Sequence, residues 1–199
     1  MKLLLATHNE KKRKELKSLL GEFKNVKVMI LDDLATEAPV VVEDGKTFRQ
    51  NAVKKALTLS RYFDGFVLAD DSGLEIDALE GKPGVRSARF ARIKATDEEN
   101  NEKVLKLLSS IPVKDRNARF VCHLALASNG YLLENFEGVV NGFILDEPRG
   151  NNGFGYDPLF LPKGKTQTFA EMPADEKNKI SHRAVALKKM KSAIKKHIK

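Results

Sequence analysis

Lys2-Leu3-Leu4-Leu5-Ala6-Thr7-His8-Asn9 opens the chain with an apolar run that breaks into polar turn formers. Consecutive apolar residues without alternation read as a short strand buried on both faces. Asn9 suits a helix N-cap, and Leu16, Leu19 and Leu20 follow it at helical spacing. Strand, short connection and helix in that order is the repeating unit of an α/β fold.

Outward from this unit, residues 26–30 read as a second strand. Thr47-Phe48-Arg49-Gln50 reads as a capping box opening a helix to about Tyr62. Residues 66–69 form a third apolar strand, expected to end at Asp70-Asp71-Ser72-Gly73. A second box, Thr96 to Glu99, starts a helix with Val104, Leu107, Leu108 and Ile111 on one face. Phe120, Cys122, Leu124 and Leu126 alternate with Val121, His123, Ala125 and Ala127, which is strand periodicity, and residues 131–145 supply its hairpin partner. Ser181 can cap a last helix along Leu187, Met190, Ile194 and Ile198. Alternating elements early and antiparallel pairing late predict an α/β fold with a mixed central β-sheet and flanking helices.

With 199 residues, the chain suits a single domain with a substantial core. No apolar run is long enough for a membrane span, and no secretory leader pattern precedes the first strand. One cysteine, Cys122, excludes an internal disulfide. These features predict a cytoplasmic protein. The net charge of +8 owes six charges to lysines 188, 189, 191, 195, 196 and 199, leaving +2 for the rest. A nearly balanced body argues against a nucleic-acid or membrane partner and leaves room for a small polyanion.

Four clusters combine charge, glycine and turn formers where a core needs none. Thr7, His8, Asn9, Glu10, Lys11 and Lys12 lie where a strand meets a helix start, a place whose amide donors and nearby lysine suit phosphate. Read alone, it is also a capped surface helix. Asp70 and Asp71 follow an apolar strand, where two acids are costly unless exposed or bound to something; hard carboxylates suit Mg²⁺. Glu43 can add a second carboxylate. Residues 148–158 hold three glycines with Phe154 and Tyr156, allowing close backbone approach and a flat stacking surface. Lys177 and Ser181-His182-Arg183 place donors at a helix start. Cys122 and His123, adjacent on a strand, point to opposite faces and cannot form a nucleophilic pair.

These clusters keep the order of a known signature: Thr7-x-Asn9-x-x-Lys12, Asp70-Asp71-Ser72-Gly73-Leu74, Pro83-Gly84-Val85-Arg86-Ser87-Ala88-Arg89, Gly153-Phe154-Gly155-Tyr156-Asp157-Pro158 and Ser181-His182-Arg183. The chain thereby resembles the inosine triphosphate pyrophosphatase family over nearly its whole length, with His8 departing from the small residue often found there. The resemblance implies a single domain over 1–199, with two lobes enclosing a cleft, and a homodimer. It implies Mg²⁺-dependent hydrolysis of ITP, dITP and XTP at the α–β bond to monophosphate and pyrophosphate. By matching positions, Asp71 is proton acceptor and metal ligand, with Glu43 at the metal. Thr7, His8, Asn9, Glu10, Lys11, Lys12 and Lys55 hold the triphosphate, Lys54 being the alternative to Lys55. Ser72 touches the substrate, and Phe154, Gly155, Tyr156, Asp157, Lys177, His182 and Arg183 surround base and sugar. A rival reading takes the basic tail with Phe154 and Tyr156 as a nucleic-acid platform, but it leaves Glu43, Asp70 and Asp71 unexplained.

Overall fold

A computed structural model of the chain describes residues 1–21 and 23–197, with backbone alone over 192–197. The expected apolar positions Ile194 and Ile198 and the tail lysines 195, 196 and 199 lie outside the described side chains. The elements run β1 (Lys2–Leu5), α1 (Glu10–Leu20), β2 (Lys27–Ile30), α2 (Phe48–Leu59), β3 (Phe66–Ile76), α3 (Asp97–Leu107), β4 (Asn117–Ser128), β5 (Tyr131–Ile144), β6 (Phe160–Pro162), α4 (Ala174–Ile180) and α5 (His182–His197). Six strands form one mixed sheet in the order β2-β1-β3-β4-β5-β6. β1 pairs in parallel with both β2 and β3, and β5 pairs antiparallel with β6. β4 and β5 are joined by Asn129-Gly130, both at positive φ (51° and 80°), the backbone that a two-residue hairpin turn demands.

The chain divides into two compact units. The first comprises Met1–Asp71, Cys122–Gly138 and Arg183–Lys199, the second Ser72–Val121 and Val139–His182. In the first unit the strand period of two sorts the core into two faces. Leu3, Leu5, Leu68, Cys122, Leu124 and Leu126 pack with Leu16 and Leu20 of α1 and Leu187 and Met190 of α5. Leu4, Ala6, Val67, Ala69, Ala125 and Ala127 pack with Ala52, Ala56 and Leu59 of α2. Helices α1 and α2 thus cover opposite faces. The chain leaves β1 for β2 on one side, and its next parallel neighbour, β3, lies on the other. The end of β1 is therefore a switch point, where open α/β sheets bind ligands.

The second unit is built on aromatic packing. Phe120 meets Phe160 edge-on at 4.6 Å between centroids and stacks with Phe169 at 5.9 Å. Leu74, Ile76, Val104, Leu108, Tyr156 and Leu159 complete this core.

Several expectations change. β3 does not stop at Asp70 but continues to Ile76, so residues 70–73 are strand and not turn. The acids are tolerated there because cations distant in sequence reach them. Gly73 is required by close approach: a Cβ would lie 2.2 Å from the Ser87 hydroxyl oxygen. That hydroxyl accepts from the Leu74 amide at 2.9 Å and donates to the Gly84 carbonyl at 2.7 Å. Helix α2 ends at Leu59, short of Tyr62, and its box is incomplete. Thr47 caps the Gln50 amide, but the Gln50 side chain accepts from the Lys46 amide. The second box, at Thr96 and Glu99, forms as expected. Leu107 is 47% exposed, Leu105 packs against the core in its place, and Ile111 follows the helix. Both β6 and α4 are additions to the sequence-based picture. Among the described residues no helix is long and apolar enough to cross a membrane.

Candidate active site

In the first unit, Asn9 caps α1 by accepting from the Lys12 amide at 3.0 Å, and its own amide donates to the Thr7 hydroxyl at 3.2 Å. This fixes the turn out of β1, with Thr7 buried and His8, Asn9, Glu10 and Lys11 on the surface. Glu10 pairs with Lys14 one turn along, 2.9 Å away. Lys12 instead turns inward, its Nζ 2.5 Å from Oδ1 of Asp70.

Asp70 is the hub of a buried charge network. Beyond Lys12, its Oδ2 lies 3.3 Å from Nε of Arg183 and accepts from the Cys122 thiol at 3.1 Å. Burial by itself would push the Asp70 carboxyl up, but Lys12 and Arg183 outweigh it and hold Asp70 far below the usual carboxylate range. Arg183 also donates to Glu15 at 2.8 Å. The guanidinium expected beside the base is thus committed, in this structure, to two carboxylates of the first unit. Burial and the Asp70 charge push the Cys122 thiol well up, so it is no nucleophile. His123 meets Asn135 on the other face of the strand, at 3.2 Å.

Asp71 is displaced the other way. Burial raises its carboxyl, the like charge of Glu43 adds to that, and Lys12, Lys55 and a hydrogen bond from Asn51 oppose it. Helix α2 supplies two of these three, Lys55 and Asn51. Asn51 donates to Asp71 Oδ2 at 2.9 Å and accepts from the Gly45 amide at 2.7 Å. One turn later, Lys55 donates to Glu43 Oε1 and to the Asp70 carbonyl, each at 2.7 Å. Lys54 points away to the exposed Asp44, 2.7 Å distant, so Lys55 is the lysine that α2 turns toward the acids. Sequence reading missed Asn51 and Glu15. The only sequence signal for Asn51 is a polar residue on the inner face of an amphipathic helix.

Glu43 and Asp71 are hard oxygen donors, and the charge of Glu43 adds to burial in raising the Asp71 carboxyl. Mg²⁺ is held by one or two carboxylates together with water and phosphate oxygens, and these residues fit that pattern. They do not form a protein-only cage: no group of three or more His, Cys, Asp or Glu gathers among the described residues.

In the second unit, the 148–158 loop is held tightly. Asp157 accepts from the Phe154 amide at 2.8 Å and from Lys177 at 2.6 Å. A side chain at Gly153 would put its Cβ 2.1 Å from that same carboxylate. Lys177 lies 4.9 Å from the Phe154 ring centroid, and Asn101 donates to the Gly155 carbonyl at 3.0 Å. Lys177 belongs to α4, not to the start of the last helix. Tyr156 is not a stacking surface: it is 3% exposed, and its hydroxyl donates to the Ser87 carbonyl at 2.8 Å. Burial, with Asp97 nearby, pushes that phenol above its ordinary value. Phe154 is the half-exposed ring. His182 is buried and stacks on Phe120 at 4.8 Å, the two rings nearly parallel. Ser72, partly buried, is the first residue of this unit and is bonded directly to Asp71.

The model of the Ham1 family matches residues 3–193. The chain is 48% identical over 192 residues to the dITP/XTP pyrophosphatase of Bacillus licheniformis, covering 96% of this chain and 97% of that protein. It is 48% identical over 188 residues to the dITP/XTP pyrophosphatase of Bacillus subtilis, covering 94% and 93%. Among solved structures, a HAM1 protein from Coxiella burnetii superposes with a TM-score of 0.88 at 39% identity, covering 98% and 99%. The Staphylococcus aureus Ham1 protein gives 0.85 at 34%, covering 99% and 100%.

Proposed function

The chain belongs to the Ham1 family, and from that premise we propose that it hydrolyses non-standard purine nucleoside triphosphates, ITP, dITP and XTP, to monophosphate and pyrophosphate. The observation that carries the reading is the convergence of Lys12, Lys55, Glu43 and Asp71 at the end of β1 and the middle of β3. It is supported by relatives named dITP/XTP pyrophosphatases.

The first unit handles polyphosphate. Lys12, Lys55 and the start of α1 offset its charge, and Asp71 takes the proton of the attacking water as oxygen bonds to the α-phosphorus. The α–β bridging bond breaks, and pyrophosphate leaves with the electron pair. A carboxyl raised by burial is a stronger base than an ordinary aspartate, which suits this role. Mg²⁺ held by Glu43 and Asp71 would supply further charge neutralisation. Positioning and electrostatics supply most of the rate, as in other phosphoryl transfers.

The second unit handles the base. Phe154 offers a ring face, and Lys177 has further N–H donors beyond the one given to Asp157. A 6-oxo purine accepts from such donors; adenine presents an amino group and leaves a buried donor unpaired, at about 1–3 kcal/mol or more. We extend the proposal to a homodimer acting in the cytoplasm. Pyrophosphate release measured over a panel of nucleoside triphosphates, with and without Mg²⁺, tests it. ITP, dITP and XTP are expected to turn over only with the metal, and ATP poorly. Comparable kcat/KM for ATP and ITP would sink the base-pocket reading.

A further inference from the structure

Asn51 is 1% exposed, and both ends of its amide are used. Nδ2 donates to Asp71 Oδ2 at 2.9 Å, and Oδ1 accepts from the Gly45 amide at 2.7 Å. The two ends cannot be exchanged: a flipped amide would set oxygen against carboxylate and NH₂ against N–H. Gly45 fits this bond closely, since a Cβ there would come within 2.6 Å of Asn51 Oδ1 and 2.8 Å of Gln50 Cβ. Four residues along the same helix face, Lys55 repeats the bridge one turn on, between Glu43 Oε1 and the Asp70 carbonyl. Residues 43–45 lie in no regular element, so the sheet does not hold them against β3. Helix α2 does, by two rungs.

We propose that Asn51 is a positioning residue for the reaction: it orients the Asp71 carboxylate and ties the Glu43 turn to it, so that both acids present one geometry to a divalent cation. Lys55 alone does not do this, because its ammonium is a rotatable point charge on a flexible stem, whereas an amide fixes direction at both ends. The inference rests on the enzymatic reading above and deepens it.

The test pairs Asn51→Ala with Gly45→Ala, which attacks the same bond from the turn and without touching the core. Mg²⁺ binding without nucleotide is measured by calorimetry, kcat and KM for ITP by pyrophosphate release, and Tm by scanning calorimetry. Both variants are expected to bind Mg²⁺ about tenfold more weakly or worse and to lose kcat by a similar factor, while KM changes little. If Asn51→Ala does not fold, Gly45→Ala alone decides. Folded variants with wild-type Mg²⁺ affinity and kcat overturn the proposal, as does a loss confined to KM. A wild-type protein that neither binds Mg²⁺ nor releases pyrophosphate overturns the enzymatic reading first, and is recognised as that separate failure.

Discussion

Lys55 and Glu43 form an ion pair, Nζ 2.7 Å from Oε1, on the carboxylate proposed for the metal. A lysine and a divalent cation therefore compete for Glu43. Replacing Lys55 by Met removes the competitor and a charge near Asp71. Mg²⁺ binding without nucleotide is expected to tighten by about tenfold, which is roughly 1.4 kcal/mol. Turnover of ITP should nonetheless fall sharply, because the triphosphate loses a cation. Calorimetric titration with Mg²⁺ checks the first, and weaker binding in the variant would contradict the competition.

Asp71→Asn separates catalysis from folding. The amide keeps an acceptor for Asn51 while removing a buried charge that Glu43 opposes. Because the folded carboxyl is raised, the ionised form at neutral pH weakens the native state, and neutralising it relieves that cost. Tm is expected to hold or rise, while kcat drops by about 10³ or more, the scale of losing the proton acceptor and metal ligand together. A variant with near-normal kcat would refute the assignment.

The two neighbouring acids give opposite pH signatures. Asp71, raised, should set the acid limb of kcat/KM above the 3.8 of an ordinary aspartate, and added Mg²⁺ should move that limb to lower pH by competing with the proton. Asp70, depressed, contributes stability that is present above 3.8 and is lost as pH falls below it. Asp70→Asn takes the buried carboxylate from Lys12 and leaves Arg183 with Glu15 alone, and should cost about 3–5 kcal/mol at neutral pH, flattening the acid side of the stability curve. Denaturant melts between pH 2 and 7 measure the Asp70 effect, and pH–rate profiles at several Mg²⁺ concentrations measure the Asp71 limb.

Tyr156 and Phe154 should differ in kind. Tyr156→Phe removes one buried hydrogen bond and should cost about 0.5–1.5 kcal/mol of stability with the ITP-to-ATP preference intact. Phe154→Ala should leave Tm nearly unchanged and raise KM for ITP. A Tyr156→Phe variant that loses nucleotide preference would return Tyr156 to the base site.

Much of the fold was legible because it rests on local patterns. The apolar run at residues 3–6, the Asn9 cap, the Thr96 box and the alternation through Phe120 to Leu126 each reappear as elements, since they depend on residues within a turn or two of each other. β6 has three residues and α4 seven, too short to show periodicity, and both went unforeseen. The end of β3 was misjudged for a different reason. Two acids in a row read as a turn when only their neighbours are considered.

The order of polar clusters along the chain was enough, by itself, to place this protein in its family and to single out Lys12, Glu43 and Asp71 as candidates, but it left Lys54 and Lys55 as alternatives. What the sequence could not hold is which charge answers which. Lys12 and Arg183 reach Asp70 from positions far along the chain, and Asn51 joins Gly45 to Asp71 across twenty-six residues. A carboxylate's worth depends on burial and on partners a few ångströms away, and only the folded chain fixes those distances.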